Sequence, residues 1–178
     1  DRRWHHLVDR HRNLVADLVP VAEGVLRWFE PYLGTDGLLH DVGGWALLDW
    51  ASVYPQGTSS VLNALWARAL EDFAHMSDWI GNAGSAAWAR DRYDAVRAGF
   101  EVFWDEGRGV YIDHIDRGEA KRAAAQHPGA SALAAGIGSD PVTNASGAPL
   151  AVLGSPDVKT AGADLVTVGY GESRLKDL

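Results

Sequence analysis

Cysteine is absent from the 178 residues, so disulfides and thiol chemistry are closed to this chain. Basic residues are few, with 16 Lys and Arg against 24 Asp and Glu and a net charge of −8. Phosphate binding needs a basic field, so nucleic acid and an anionic membrane surface are excluded as partners. No apolar run is long enough to span a bilayer, and no signal peptide is recognisable. Glycine-rich phosphate loops and Ser-His-Asp nucleophile signatures are missing as well. His5, His6 and His11 lack carboxylates or further histidines at ligand spacing, and they read as solvated helix surface. No metal and no cofactor is expected.

What is present is core material. Hydrophobic residues make up 47% of the chain, and eight residues are Trp. The length fits one domain or a piece of a larger one. The chain opens at Asp1 without a Met, directly in helical sequence, as an internal fragment would.

From about Asp9 to Leu33, Leu14, Leu18, Val21, Val25, Trp28 or Phe29, and Tyr32 recur at helical intervals. Pro20 predicts a kink there or two shorter helices. Gly34-Thr35-Asp36-Gly37 supplies turn chemistry. A second helix starts near Thr58 or Ser59, with Val61, Leu62, Leu65, Trp66, Ala69, Phe73 and Met76 on its apolar side. It stops at Gly81 and Gly84, and Ser85 opens a third helix carrying Trp88, Ala89, Tyr93, Val96, Phe100 and Phe103. Asp105–Gly109 is a turn, and Val110–Asp113 alternates as a short extended piece. A fourth helix is expected from about Ala123 to Gly136, against the grain of Pro128 and Gly129. The expectation is an all-α array with long loops gathered at one rim. Residues 1–137 form this unit, and 138–178 is an unassigned tail rich in Gly, Ala and Val. Asn144-Ala145-Ser146 fits a glycosylation sequon within that tail, where chance explains it.

Between the first two helices lies Gly43-Gly44-Trp45-Ala46-Leu47-Leu48-Asp49-Trp50. Trp45 and Asp49 stand four positions apart, on one side of a short helical turn. An indole beside a carboxylate suits a sugar, since the ring covers the apolar C–H face and the acid accepts from hydroxyls. The same residues also fit a packed loop in which both indoles are core and Asp49 caps a helix.

Several segments together resemble bacterial α-L-rhamnosidases of glycoside hydrolase family 78. They are Arg27–Leu33 with Asp36–Leu39, then Gly44-Trp45 with Asp49-Trp50, and Leu62–Leu65 with Ala69-Leu70. Phe103–Glu106 with Gly109 and Tyr111, and Gln126-His127 ahead of Ala132–Ala134, continue the pattern to Ile137. The resemblance implies a segment of an (α/α)6 toroid of antiparallel helix pairs around a pocket for terminal L-rhamnose. It places Trp45 and Asp49 on the wall of the sugar subsite, and Trp50 and Asn63 in support of the pocket floor. It implies a rhamnosylated small molecule or polysaccharide as substrate. The compartment stays open, with only a slight lean to the bacterial cytoplasm.

The family's reaction is inverting hydrolysis by two carboxylic groups about 6.5–9.5 Å apart, one acid and one base. In the family the acid lies upstream of the region matching Asp9, and the base in a downstream Thr-x-Trp-Glu-like segment. Neither motif occurs here, and Glu172 has no Trp before it to match the base. No catalytic residue is therefore assigned, and the turn-like Asp41, Asp105, Glu106 and Asp113 are expected to be solvated charges. His127 is expected to be structural. The alternatives are a non-catalytic helical carbohydrate-binding or scaffold protein, and a related (α/α)6 hydrolase of another neutral sugar.

Overall fold

In the computed structural model, residues 2–44, 48, 56–121 and 123–138 are described. Their helices are α1 (Arg2–Arg27), α2 (Ser60–Ile80), α3 (Ala83–Gly99) and α4 (Gln126–Ala135), with 3-10 turns at Glu30–Tyr32 and Phe100–Phe103. Five short strands accompany them: β1 (Thr58–Ser59), β2 (Trp104–Asp105), β3 (Val110–Tyr111), β4 (His114–Asp116) and β5 (Glu119–Ala120). The helices dominate, as expected. The strands correct a purely all-α reading, in which only Val110–Asp113 was extended.

α1 runs through Pro20 as one helix instead of ending there. Pro20 and Ala16 are both exposed, so the carbonyl left without its helical donor faces water, where the loss is smallest. The buried side of α1 is also not the expected one. Val19 and Leu26 are buried, with Val15, Ala22 and Phe29 packed beside them. Leu14, Leu18, Val21, Val25 and Trp28 are each more than half exposed. Two apolar stripes thus run along one helix, displaced by about a residue, and only one meets the core.

Ser59 caps α2 by accepting from the Leu62 amide at 3.3 Å, and Gly81 closes it at φ 84°, in the left-handed region. Asn82 caps α3, accepting from the Ser85 amide at 3.2 Å. Pro128 does not obstruct α4, because it sits in the first turn, where its missing N–H has no intrahelical partner to lose. Gly136 ends that helix at φ 66°.

The core gathers Trp66, Leu70 and Phe73 of α2, Ala89 and Val96 of α3, then Phe100, Phe103 and Tyr111. Burying each large side chain stabilises the fold by about 1.5–3 kcal/mol. Phe100 and Tyr111 rings lie 5.3 Å apart and Trp104 meets Tyr111 edge-on at 4.9 Å, so the β2–β3 ribbon is bound to the end of α3 by aromatic contact. Polar bonds join the helices. The Trp66 indole N–H donates to the Leu26 carbonyl at 3.3 Å, satisfying an oxygen in the last turn of α1. Tyr93 donates to the Ala135 carbonyl at 2.9 Å, tying α3 to α4.

α1 and α3 meet through a mixed cluster. Glu30 accepts from the Trp88 indole at 2.9 Å and pairs with Arg92 at 3.2 Å. Glu23 accepts from Ser85 at 2.8 Å and from Arg27 at 2.8 Å. The Arg27 guanidinium lies 3.9 Å over the Trp88 ring, a cation–π contact.

Asp113 is a further correction, since it is no solvated turn residue. It is 1% exposed, and its Oδ1 accepts from the Ala125 amide at the start of α4 at 2.6 Å. Its carbonyl accepts from the Ser60 amide at 2.9 Å and hydroxyl at 2.8 Å, at the start of α2. α2 and α4 therefore begin side by side on this residue. β4 pairs with β1 through Thr58–Ile115 and Ser59–His114, so the approach to α2 is held by the same hairpin.

Candidate functional site

The turn at residues 34–37 is set by its sequence. The Gly37 amide donates to the Gly34 carbonyl at 3.1 Å, and Asp36 Oδ1 accepts from the Leu38 amide at 3.2 Å. Gly37 takes φ 81°, and a Cβ there would lie 2.3 Å from the Ala95 carbonyl oxygen. Gly99 mirrors it, for a Cβ there would lie 2.3 Å from the Asp36 carbonyl oxygen. Two glycines thus let this turn press directly on the last turns of α3.

From there the chain runs through Leu39 to a neck beside the start of α2. Leu38 and Leu39 are both 1% exposed. Asn63, fully buried, holds Leu39 by its backbone. Its Oδ1 accepts from the Leu39 amide at 2.8 Å, and its Nδ2 donates to the Leu39 carbonyl at 3.2 Å and the Ser59 carbonyl at 2.8 Å. Both amide hydrogens are thereby occupied by main chain. The Asp41 amide donates to the Gly57 carbonyl at 2.9 Å, closing the neck one step further out. Asp41 sits at φ 46°, an unusual place for a residue other than glycine.

His40 lies across this neck. Its Nε2 is 2.9 and 3.0 Å from the two carboxylate oxygens of Asp36, and its Nδ1 is 2.7 Å from Thr58 Oγ1. A carboxylate accepts only, so Nε2 carries the hydrogen; in the neutral ring Nδ1 then accepts from the Thr58 hydroxyl. Burial acts to raise the Asp36 carboxyl, but the hydrogen bonds from His40 and the Leu38 amide outweigh it and hold the group below its ordinary range.

Of the residues singled out in the sequence, Asn63 stands at this neck. Trp45, Asp49 and Trp50 lie outside the described residues, between the two ends that the neck joins. Sequence reasoning passed over Asp36, His40 and Thr58 as a group. The only trace in the sequence was the turn chemistry around Asp36, since the link itself joins residues 18 apart.

Away from this neck, a concavity of about 310 Å³ lies beside the β2–β3 ribbon and is lined by Trp104, Asp105, Glu106, Arg108 and Lys121 among others. An indole with two carboxylates suits a sugar in type. Here, however, the groups bond one another: Trp104 donates to Glu106 at 2.8 Å, Arg108 to Asp105 at 2.6 Å, and Lys121 to Glu119 at 2.7 Å. Gln126 and His127 fall in the first turn of α4. Among the described residues, no cluster of three or more His, Asp or Glu is arranged to hold a metal ion. No described helix is long and apolar enough to cross a membrane.

No protein-family model matches the chain, and no curated protein sequence does. Solved structures do. The GH78 family rhamnosidase of Bacillus sp. GL1 superposes with a TM-score of 0.67 at 25% identity, over 72% of this chain and 14% of that one. A rhamnosidase from Klebsiella oxytoca with rhamnose bound gives a TM-score of 0.57 at 19% identity, over 69% and 23%. At the lower identity the likeness is one of fold. The chain spans less than a quarter of either protein, and what it resembles is a partial segment of a GH78 rhamnosidase.

Proposed function

We propose that this chain is part of an inverting glycoside hydrolase that releases terminal α-L-rhamnose, and that it supplies a wall of the sugar subsite. The observation that carries the reading is the superposition on two rhamnosidases, which covers 72% and 69% of this chain. In this reading Trp45 covers the apolar face of the sugar and Asp49 accepts from its hydroxyls. Trp50 supports the floor, and Asn63 acts from below by fixing the Leu39 backbone. The acid and base belong to other parts of the parent protein, which complete an (α/α)6 toroid of antiparallel helix pairs. The exposed stripe of α1 supports this, since such a face in a larger helical body is covered by the next helix.

The test is hydrolysis of an aryl α-L-rhamnoside by the full-length parent, with Trp45→Ala and Asp49→Ala beside it. Each variant is expected to lose about ten- to a hundredfold in kcat/KM, the worth of a charged hydrogen bond or a stacked ring, with the melting temperature kept. Activity on another neutral sugar alone would replace rhamnose in the proposal. Binding without turnover by the parent would replace hydrolysis.

A further inference from the structure

We propose that His40 is a positioning residue, whose ring, held by Asp36 on one side and Thr58 on the other, fixes how the two ends of segment 41–57 stand. The inference rests on the reading above, which places the sugar contacts on that segment. It deepens that reading by naming the side chain through which the rest of the fold sets their placement.

The two partners of His40 belong to different rigid parts. Asp36 sits in the turn pressed against α3 through Gly37 and Gly99. Thr58 is 5% exposed on β1, paired with Ile115 of β4 and one residue before the cap of α2. Among the hydrogen bonds described at the neck, those of His40 connect these two bodies by side chains alone. The ring is also seated from below. A Cβ on Gly34 would lie 2.6 Å from Asp36 Oδ1 and 2.7 Å from His40 Nε2, so the pair lies flush on a bare glycine.

The arrangement has something to hold. Asp41, the next residue, is at φ 46°, in the left-handed region that a non-glycine residue adopts only at a cost. That conformation aims its amide at Gly57 and closes the neck. A bridge on the preceding side chain keeps the strained residue in place. The imidazole geometry makes the bridge divisible, because asparagine reproduces the inner ring nitrogen and glutamine the outer one.

The experiment uses the full-length parent, and reads amide exchange by mass spectrometry in peptides covering residues 38–44, with α2 peptides as reference. KM and kcat on an aryl α-L-rhamnoside are measured in parallel. Thr58→Val and His40→Gln are expected to speed exchange at 38–44 about fivefold, the worth of one hydrogen bond, leaving α2 unchanged. In these two variants KM rises by a similar factor while kcat holds. His40→Asn keeps the Thr58 bond but loses Asp36, so it breaks the bridge from the other side and moves both readouts in the same direction. Unchanged exchange in Thr58→Val and His40→Gln, or in His40→Asn, overturns the positioning role. Faster exchange with an unmoved KM keeps the bridge and removes the sugar contacts from segment 41–57, which strikes the proposed function instead.

Discussion

The indole N–H of Trp88 donates to the Glu30 carboxylate at 2.9 Å, while the Arg27 guanidinium covers the same indole from above at 3.9 Å. One aromatic side chain therefore fastens the end of α1 to α3 by an edge bond and a face contact together. The hydrogen bond from Trp88, helped by Arg92 and Arg27 and opposed by burial, holds Glu30 below the ordinary glutamate value. Bonds from Ser85 and Arg27 do the same for Glu23. A depressed carboxyl contributes stability above its unfolded value, and that contribution is lost as pH falls through the folded one. The urea midpoint is expected to drop between about pH 5 and pH 3. Glu30→Gln should lower the midpoint at neutral pH and flatten that drop, and a slope equal to the wild type's would refute the assignment.

Asn63 gives a sharper stability test. Its removal strands the buried Leu39 amide and carbonyl without their partner, which costs about 2–4 kcal/mol. Asn63→Asp should be at least as harmful as Asn63→Ala, because the donor facing two carbonyls becomes an acceptor. Thermal melts of both variants decide it, and an aspartate variant as stable as the wild type would contradict the bonding described.

The glycine contact between the turn and α3 is equally specific. Gly37→Ala adds a methyl 2.3 Å from a backbone oxygen at a residue that already has φ 81°. A loss of about 2 kcal/mol or more is expected. Gly24→Ala is the control, since a Cβ there meets nothing within 4 Å in a helix interior, and it should raise stability by about 0.5–1 kcal/mol.

The uncovered stripe of α1 separates the chain alone from the chain in its parent. Leu18→Lys with Val25→Lys is expected to leave the helical circular-dichroism signal of the isolated chain unchanged, since both side chains are more than half exposed there. The same pair should destabilise the parent by about 2–4 kcal/mol, as for charged groups placed in a packed contact. Equal melting temperatures in the parent would mean that the stripe faces water there too.

The helices were legible because caps and stops are local. Ser59, Gly81 and Gly136 each act within a few residues of where they stand, whereas α3 is opened by Asn82 instead of Ser85 and takes Gly84 into its first turn. The buried face of α1 was not, since Leu14, Leu18, Val21 and Val25 repeat at the same intervals as Val15, Val19, Ala22 and Leu26. Periodicity reveals a helix but does not choose between two apolar stripes. Apart from Val110–Tyr111, strands of two or three residues give no alternation signal, and they form here because a partner strand lies alongside. Asp113 looked like surface charge because its partner Ser60 is 53 residues away. At the candidate site, Asn63 was picked out by its pattern, whereas the bridge from Asp36 through His40 to Thr58 depends on folding that brings distant residues together.

The seal that Asp113 places on the first turn of α2 has a consequence for synthesis on the ribosome. Ser60 leaves the exit tunnel well before Asp113 and Ala125, so α2 emerges with its leading edge unsealed. Only when the chain through Ala125 has cleared the tunnel do both helix starts lock, in one late step of long sequence separation. A pause in translation once Ala125 has emerged from the tunnel would give that step its time, and truncation before Asp113 would leave α2 open to misassembly.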